Sequence, residues 1–392
     1  MIFCPLYEDK AMIIQSENVW TGAFFEPAEI EFEENITCLH PHGKKTPDED
    51  YGLLRIVPGF IDTHCHGAYG YDTNSGEPGG MKMWAKKIVH EGVTSFLPTT
   101  LTDDKQVLLK AVANVSNVMK EIRPGKDGAR ILGIHFEGPY LSKKYKGAQP
   151  EEYVVEPNVE EFKEYQAAAG GNIRLMTLAP EEDTNLLLTK YASSSGVVVS
   201  LGHTDATYEQ GLAAVRAGAK SITHTFNAQT PLKHRGDGIV GLALSTDDLH
   251  SEMICDCLHV SPEVMRIFFK CKGARHGVMV SDALLCKGGK VGEHFRFGPE
   301  EVEIMPDTSA HIAGTDTIAG STLKLNTGLR NLVERAGVPF ESAINACTIN
   351  PATLLGMTDR IGRLAAACQA DMVVLTDDYE VADVYVSGVR QK

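Results

Sequence analysis

The sequence predicts an α/β protein: a (β/α)8 TIM barrel with a small β domain formed by both chain termini. Three observations predict it. Short apolar runs alternate with helix-like segments through the middle of the chain, and the runs number eight. Both ends of the chain lack helical periodicity and read as β. Most of the eight runs end in an imidazole or a carboxylate, at the rim where barrel enzymes place their chemistry.

Taken in order, residues 1–57 read as strands and turns, with apolar or β-branched patches at 11–14, 29–32 and 53–57. Residues 371–375 and 384–386 have the same character. We therefore assign 1–57 and 365–392 to one small β domain and 58–364 to the barrel. The barrel strands are expected at 55–61, 93–97, 130–136, 172–178, 196–201, 221–225, 251–258 and 276–280. They are short and apolar, as strands buried on both faces are. Helices are expected at 81–90, 103–120, 208–217 and 262–272. An open doubly wound sheet would usually carry a Gly-rich phosphate turn after its first strand, and none is present.

Composition narrows the class of function. The 392 residues carry a net charge of -15, which disfavours nucleic acid and anionic membranes as partners. An anionic substrate would need a dedicated cationic contact. No stretch is long and apolar enough to span a bilayer. Residues Met1 to Glu8 lack the basic and apolar regions of a secretory leader. The nine cysteines are scattered without a Cys-x-x-Cys pair, so reduced thiols and a cytoplasmic location are expected.

The strand ends carry the chemistry. The first reads Asp62-Thr63-His64-Cys65-His66-Gly67. Side chains two apart on a strand point the same way, so His64 and His66 can aim at one point. The third ends His135-Phe136-Glu137-Gly138-Pro139, and the fifth Gly202-His203-Thr204-Asp205. The sixth ends His224-Thr225-Phe226-Asn227-Ala228, the seventh Asp256-Cys257-Leu258-His259, and the eighth Ser281-Asp282-Ala283. Taken singly, a histidine in an apolar strand is more often a hydrogen-bonded structural residue than a ligand. His90, His250, His276, His294 and His311 keep that reading. Asp205 has a second reading, as the cap of the following helix. The joint pattern resists a structural account, because burying several ionisable groups at one barrel mouth is costly unless they bind something. Histidine and glutamate suit a divalent cation, with zinc, iron, manganese and cobalt all admitted.

These motifs resemble the amidohydrolase superfamily. Within it they are similar to the N-acetylglucosamine-6-phosphate deacetylases. The matching segments are 58–67, 135–139, Lys146-Gly147-Ala148, 202–206, 224–228, 280–283, Ala319-Gly320-Ser321 and Asn350-Pro351-Ala352. The resemblance implies a metal-dependent barrel with a small β-sandwich, and a homodimer. It implies Glu137, His203 and His224 as the main metal ligands and Asp282 as the general acid/base. It implies Ala148, Gln149, Asn227, Ala228, Arg235, His259 and the segment Ile318-Ala319-Gly320 as the wall of a sugar-phosphate pocket. This chain keeps His64 and His66, which favours a second metal position and so one or two ions per chain.

Gln149 stands where some members have histidine, Cys257 where the family often has glycine, and Gln229 replaces a common methionine. Arg235 alone would read as a surface cation. The motif around it points to phosphate, and its planar fork suits phosphate oxygens. The expected reaction is hydrolysis of N-acetyl-D-glucosamine 6-phosphate, an amino-sugar phosphate, to D-glucosamine 6-phosphate and acetate. The galactosamine epimer is the nearest alternative substrate. A dihydroorotase-like or dipeptidase-like hydrolase would usually carry a lysine after the fourth strand, and Thr177-Leu178-Ala179-Pro180-Glu181 has none. A non-catalytic metal- or sugar-binding barrel would have no need of Asp282.

Overall fold

Eight parallel strands form the centre of the chain: β1 (Phe60–Cys65), β2 (Val93–Pro98), β3 (Ile134–Glu137), β4 (Ile173–Leu178), β5 (Val198–Leu201), β6 (Ser221–Ile222), β7 (His250–Ile254) and β8 (Gly277–Val280). The computed structural model describes residues 11–236, 238–298 and 300–391. The segment Met1 to Glu8, where no leader was expected, lies outside the described residues. Strands β3 to β8 pair in sequence order in one parallel sheet, and β1 pairs with β2 in another. Single parallel bridges, Thr99 to His135 and Cys65 to Ala283, link the two sheets at both edges. Nearly every residue of these strands is buried, which explains their unbroken apolar, β-branched composition.

Helices fill the connections: α1 (Pro78–Ile88), α2 (Lys105–Glu121), α3 (Val159–Ala168), α4 (Leu187–Ser194), α5 (Tyr208–Arg216), α6 (Gly238–Ser245) and α7 (Pro262–Lys272). Their starts follow capping chemistry. The Asp104 side chain accepts from Gln106 N ahead of α2. Thr207 and Gln210 close a reciprocal capping box on α5. Asp205 is therefore not the cap of α5. Its carboxylate takes the Lys144 ammonium at 2.6 Å and the Thr230 hydroxyl at 3.0 Å. Among the described residues, no helix is long and apolar enough to cross a membrane.

The expected strand 221–225 is short, ending at Ile222, and three others differ in extent, each for a local reason. The run 55–61 divides at Gly59. Residues Arg55–Pro58 pair with Met372–Leu375, while Phe60 onward pairs with β2. A Cβ at Gly59 would lie 2.1 Å from Thr94 Oγ1, so only glycine lets the backbone cross there. The run 130–136 divides at Gly133, whose φ is 152°. The seventh run stops at Ile254, because Asp256 Oδ1 accepts from Leu258 N and His259 N and folds the chain into a turn.

Both chain ends meet in one eight-stranded sheet. Its order is Val389–Gln391, Val381–Val386, Met372–Leu375, Arg55–Pro58, Met12–Trp20, Phe25–Phe32 and Ile36–Pro41, with Glu49–Asp50 also on Met12–Trp20. Ile14, Ile30, Phe32, Ile56, Met372, Val374 and Tyr385 form its core. Arg130 ties it to the strands of the centre, donating to Asp371, Gln369 and Ser387 at 2.6–2.7 Å. A three-stranded antiparallel sheet, His294–Phe297, Glu300–Ile304 and Ala310–Ile312, follows β8 and was not expected. Its strands are short and exposed on one face, so they carry little apolar periodicity.

Candidate active site

The last residues of β1, β3, β5, β6 and β8 and the turns after them converge on one point. His64 closes toward it from β1, and His66 follows two residues on. Their Nε2 atoms lie 3.2 Å apart. His203 and His224, after β5 and β6, bring their Nε2 atoms to 3.1 Å. Glu137, at the end of β3, lies among the four. Its Oε1 is 3.2 Å from His224, 3.4 Å from His203 and 3.4 Å from His64, and its Oε2 is 3.3 Å from His66. Asp282 Oδ1 is 3.1 Å from His66 Nε2 and 3.5 Å from His64 Nε2. All six side chains are buried or nearly so.

Backbone geometry sets these positions. His203, His224 and Asp282 take φ values of 48°, 26° and 49°. Left-handed backbone at non-glycine residues costs of order 1–3 kcal/mol and clusters at functional sites. Here it turns three side chains inward just beyond their strands. Cys257 has φ 64°, which accounts physically for the glycine usual at that place. Gln229 is buried, and its amide donates to Thr223 O at 2.7 Å, holding the turn that carries Asn227 and Ala228.

Orienting contacts of four site residues, Gln149, His203, His259 and His64, were not called from the sequence. Gln149, expected against the substrate, spends both ends on the protein. Its amide nitrogen donates to Glu137 Oε2 at 2.8 Å and its oxygen accepts from Thr102 N at 2.7 Å. His203 Nδ1 donates to Tyr145 O at 2.9 Å, and His259 Nδ1 meets Asp256 Oδ2 at 2.6 Å. His64 Nδ1 lies 3.0 Å from Glu252 Oε2. Apart from Asp256 and His259, three residues apart in the turn after β7, these partners lie 12 to 188 residues apart in sequence.

Electrostatics follow from this crowding. Burial acts to lower the pKa of His64 and His66, but Glu137 and Asp282 outweigh it and hold both imidazoles above their ordinary value. Burial acts to raise Asp282, and His64 and His66 overcome it, so the carboxyl stays ionised well below the usual carboxylate range. Glu137 is held down in the same way. For His259, burial is again opposed by the Asp256 hydrogen bond and charge, and the net shift is upward.

The donors fit a divalent cation. Three groups, Glu137 with His203 and His224, His64 with His66 and Asp282, and His64 with His135 and Glu252, each place three ligand atoms within 4.8 Å of one another. Two pairs of imidazole nitrogens face each other near 3 Å, a contact that needs a shared proton or a shared ion. Glu137 Oε1 is buried without a hydrogen bond, as are the Nδ1 atoms of His66 and His224. A cation would displace the imidazole protons that the carboxylates now favour.

A cavity of about 220 Å³ opens above the cluster. Ala148, Gln149, Asn227, Ala228, His259 and the segment Ile318-Ala319-Gly320 all line it, as do Asp282, Glu137, His66, His203 and His224. His64 lies beneath, fully buried. Leu101, Leu284 and Phe297 add apolar walls that the sequence did not flag, Phe297 arriving from the unexpected antiparallel sheet. Arg235 is not among the lining residues. It is exposed in a turn closed by Lys233 N to Gly236 O at 3.0 Å.

Comparison with known proteins agrees with this geometry. The chain matches the amidohydrolase family over residues 55–390. It is 36% identical to the N-acetylglucosamine-6-phosphate deacetylase of Bacillus subtilis, covering 96% of this chain and 94% of that one. It is 35% identical to the human enzyme of the same name, over 95% and 90%. The crystal structure of N-acetyl-D-glucosamine-6-phosphate deacetylase from Mycobacterium smegmatis superposes with a TM-score of 0.91 at 30% identity, covering 97% and 99%. The chain belongs to the amidohydrolase family, among its N-acetylglucosamine-6-phosphate deacetylases.

Proposed function

We propose that this chain is a metal-dependent deacetylase that converts N-acetyl-D-glucosamine 6-phosphate to D-glucosamine 6-phosphate and acetate. The observation that carries the reading is Asp282, 3.1 Å from His66 and beside a converging His and Glu cluster at the floor of a cavity, in a chain of this family. Glu137, His203 and His224 would hold one ion. His64 and His66 would hold a second, with Glu137 between the two. Their donors suit zinc, iron, manganese or cobalt. Bound there, a divalent ion supplies Lewis acidity, polarising the amide carbonyl and making water acidic enough to attack near neutral pH.

The chain's own residues do the rest. Asp282, held as a carboxylate, takes a proton from the attacking water and then delivers it to the departing amine nitrogen. His259, its Nδ1 committed to Asp256, keeps Nε2 to donate to the carbonyl oxygen or a sugar hydroxyl. Asn227, Ala228 and the 318–320 segment bind the sugar, and the Leu101 and Phe297 walls exclude water from it. Arg235 is exposed and outside the cavity wall, so for it to meet the 6-phosphate its turn after Ala228 would have to swing inward. Gln149 acts on Glu137 as well as on the pocket wall.

We read the linked parallel sheets as a closed (β/α)8 barrel spanning 58–364, and the terminal sheet as the small β-sandwich domain of 1–57 and 365–392. The single bridges at both sheet edges support the closure. Eight free cysteines among the described residues support a cytoplasmic home. The family resemblance supports a homodimer. Turnover with N-acetylglucosamine 6-phosphate, its galactosamine epimer and the unphosphorylated sugar tests the function. Acetate release from the first should exceed both others. Equal rates on all three would overturn the sugar-phosphate assignment.

A further inference from the structure

Glu252 lies on β7, fully buried, directly below the histidine cluster. One carboxylate oxygen serves two strand ends. Oε2 is 3.0 Å from His64 Nδ1 and accepts the backbone N–H of His224 at 3.2 Å. The other oxygen, Oε1, is buried with no hydrogen bond. A carboxylate placed there without full satisfaction is expensive, so a merely space-filling role is a poor account of it.

The imidazole geometry supplies a better one. A histidine whose Nδ1–H is committed to an acceptor must present its Nε2 lone pair on the opposite side. His64 Nε2 then faces Glu137, His66 and Asp282 at 3.2–3.5 Å. His203 is set in the same sense by the Tyr145 carbonyl. The two orienting partners differ in charge. A carbonyl only fixes the ring, whereas a carboxylate fixes it and also raises its donor strength toward a cation. His66 and His224 have no Nδ1 acceptor among the described residues.

We propose that Glu252 is a positioning residue that sets the tautomer of His64 and thereby builds the second cation position, the one held by His64 and His66. This rests on the two-position reading given above. Through the His224 amide, the same oxygen ties that position to the one held by His203 and His224. The Glu252 carboxylate touches neither substrate nor the reacting atoms.

The test is zinc binding rather than turnover. Zinc-loaded protein is equilibrated against chelator-buffered zinc, and bound metal is counted for wild type, Glu252→Gln, His64→Ala and the double variant. Wild type should hold two ions. Glu252→Gln should weaken one of them about 10- to 100-fold and leave the other within about threefold. In the His64→Ala background, Glu252→Gln should have no further effect on zinc, a coupling that general destabilisation would not produce. Glu252→Asp, which keeps the charge but retracts it, should fall between, and it carries the test if the Gln variant does not fold. Two ions bound with unchanged affinities in Glu252→Gln would overturn this proposal and leave the two-position reading standing. So would an equal loss with and without His64. A single ion in wild type would overturn both.

Discussion

Asp282 occupies left-handed backbone with its carboxylate 3.1 Å from His66 Nε2, and that placement defines the most direct mutational test. Asp282→Asn keeps the size and removes the ability to carry a proton. We expect kcat to fall about 10²- to 10⁴-fold with metal still bound, read by acetate release and metal analysis on one sample. Near-normal turnover would assign the proton to another group. Arg235 is tested by a ratio. Arg235→Ala should cut kcat/KM for the 6-phosphorylated sugar about ten- to two-hundred-fold, while turnover of the unphosphorylated sugar barely changes. Arg235→Lys should recover part of the loss, since the bidentate fork is gone. An unchanged ratio would remove Arg235 from phosphate recognition.

The ligand-type residues were legible at this scale because each follows an apolar run within a few positions. Glu252, Asp256 and the inward use of Gln149 were not. Glu252 takes its meaning from His64, 188 residues away, Gln149 from Glu137 and Thr102 at its two ends, and Asp256 from a turn that hydropathy does not report.

Among the elements, β1 depends on a single glycine. Gly59 is the point where the chain leaves the terminal sheet and enters the central strands, packed against the Thr94 side chain of β2. Gly59→Ala should destabilise the protein by about 1–3 kcal/mol through overpacking, seen as a lower denaturation midpoint. Thr94→Ala in the same chain should recover part of that loss. Additive effects of the two substitutions would show that the contact is not the cause. The example also explains which boundaries the sequence gets wrong. Runs 55–61 and 130–136 are continuous in hydropathy, and hydropathy is blind to a strand that changes sheets. The start of α2, by contrast, was close to its expected place, because Asp104 announces it chemically.

For the molecule as a whole, acid stability should depend on a histidine far from the chemistry. Burial, with His276, Lys272 and Lys220 nearby opposing a further positive charge, pushes the His250 pKa down to about 4. Unfolded, the same ring titrates near 6.5. Between those values the unfolded chain binds the extra proton, so stability rises with pH across the window. His250 therefore contributes in full above about pH 6.5, and the contribution is lost as pH falls toward 4. The size is on the order of 2 kcal/mol after allowing for partial exposure. Urea midpoints at pH 7 and pH 5 should differ less in His250→Gln than in wild type. Equal pH sensitivity would exclude this histidine as the source. The parallel centre and the β character of both ends were readable from alternation alone. That the two ends would share one domain was expected from the same β character; the strand order in which they pair was not, since pairing of strands this distant leaves no local trace.

That merged sheet has a consequence for how the chain comes to exist. Arg55–Pro58 finds its neighbour Met372–Leu375 only after more than three hundred further residues have been made. Until then the Arg55–Pro58 edge of the early strands has an unfilled row of backbone donors and acceptors. Such an edge invites pairing with another nascent chain. Completion of the sheet is thus a late, non-local event, and truncations that remove the final strands should yield insoluble protein even with the catalytic centre intact.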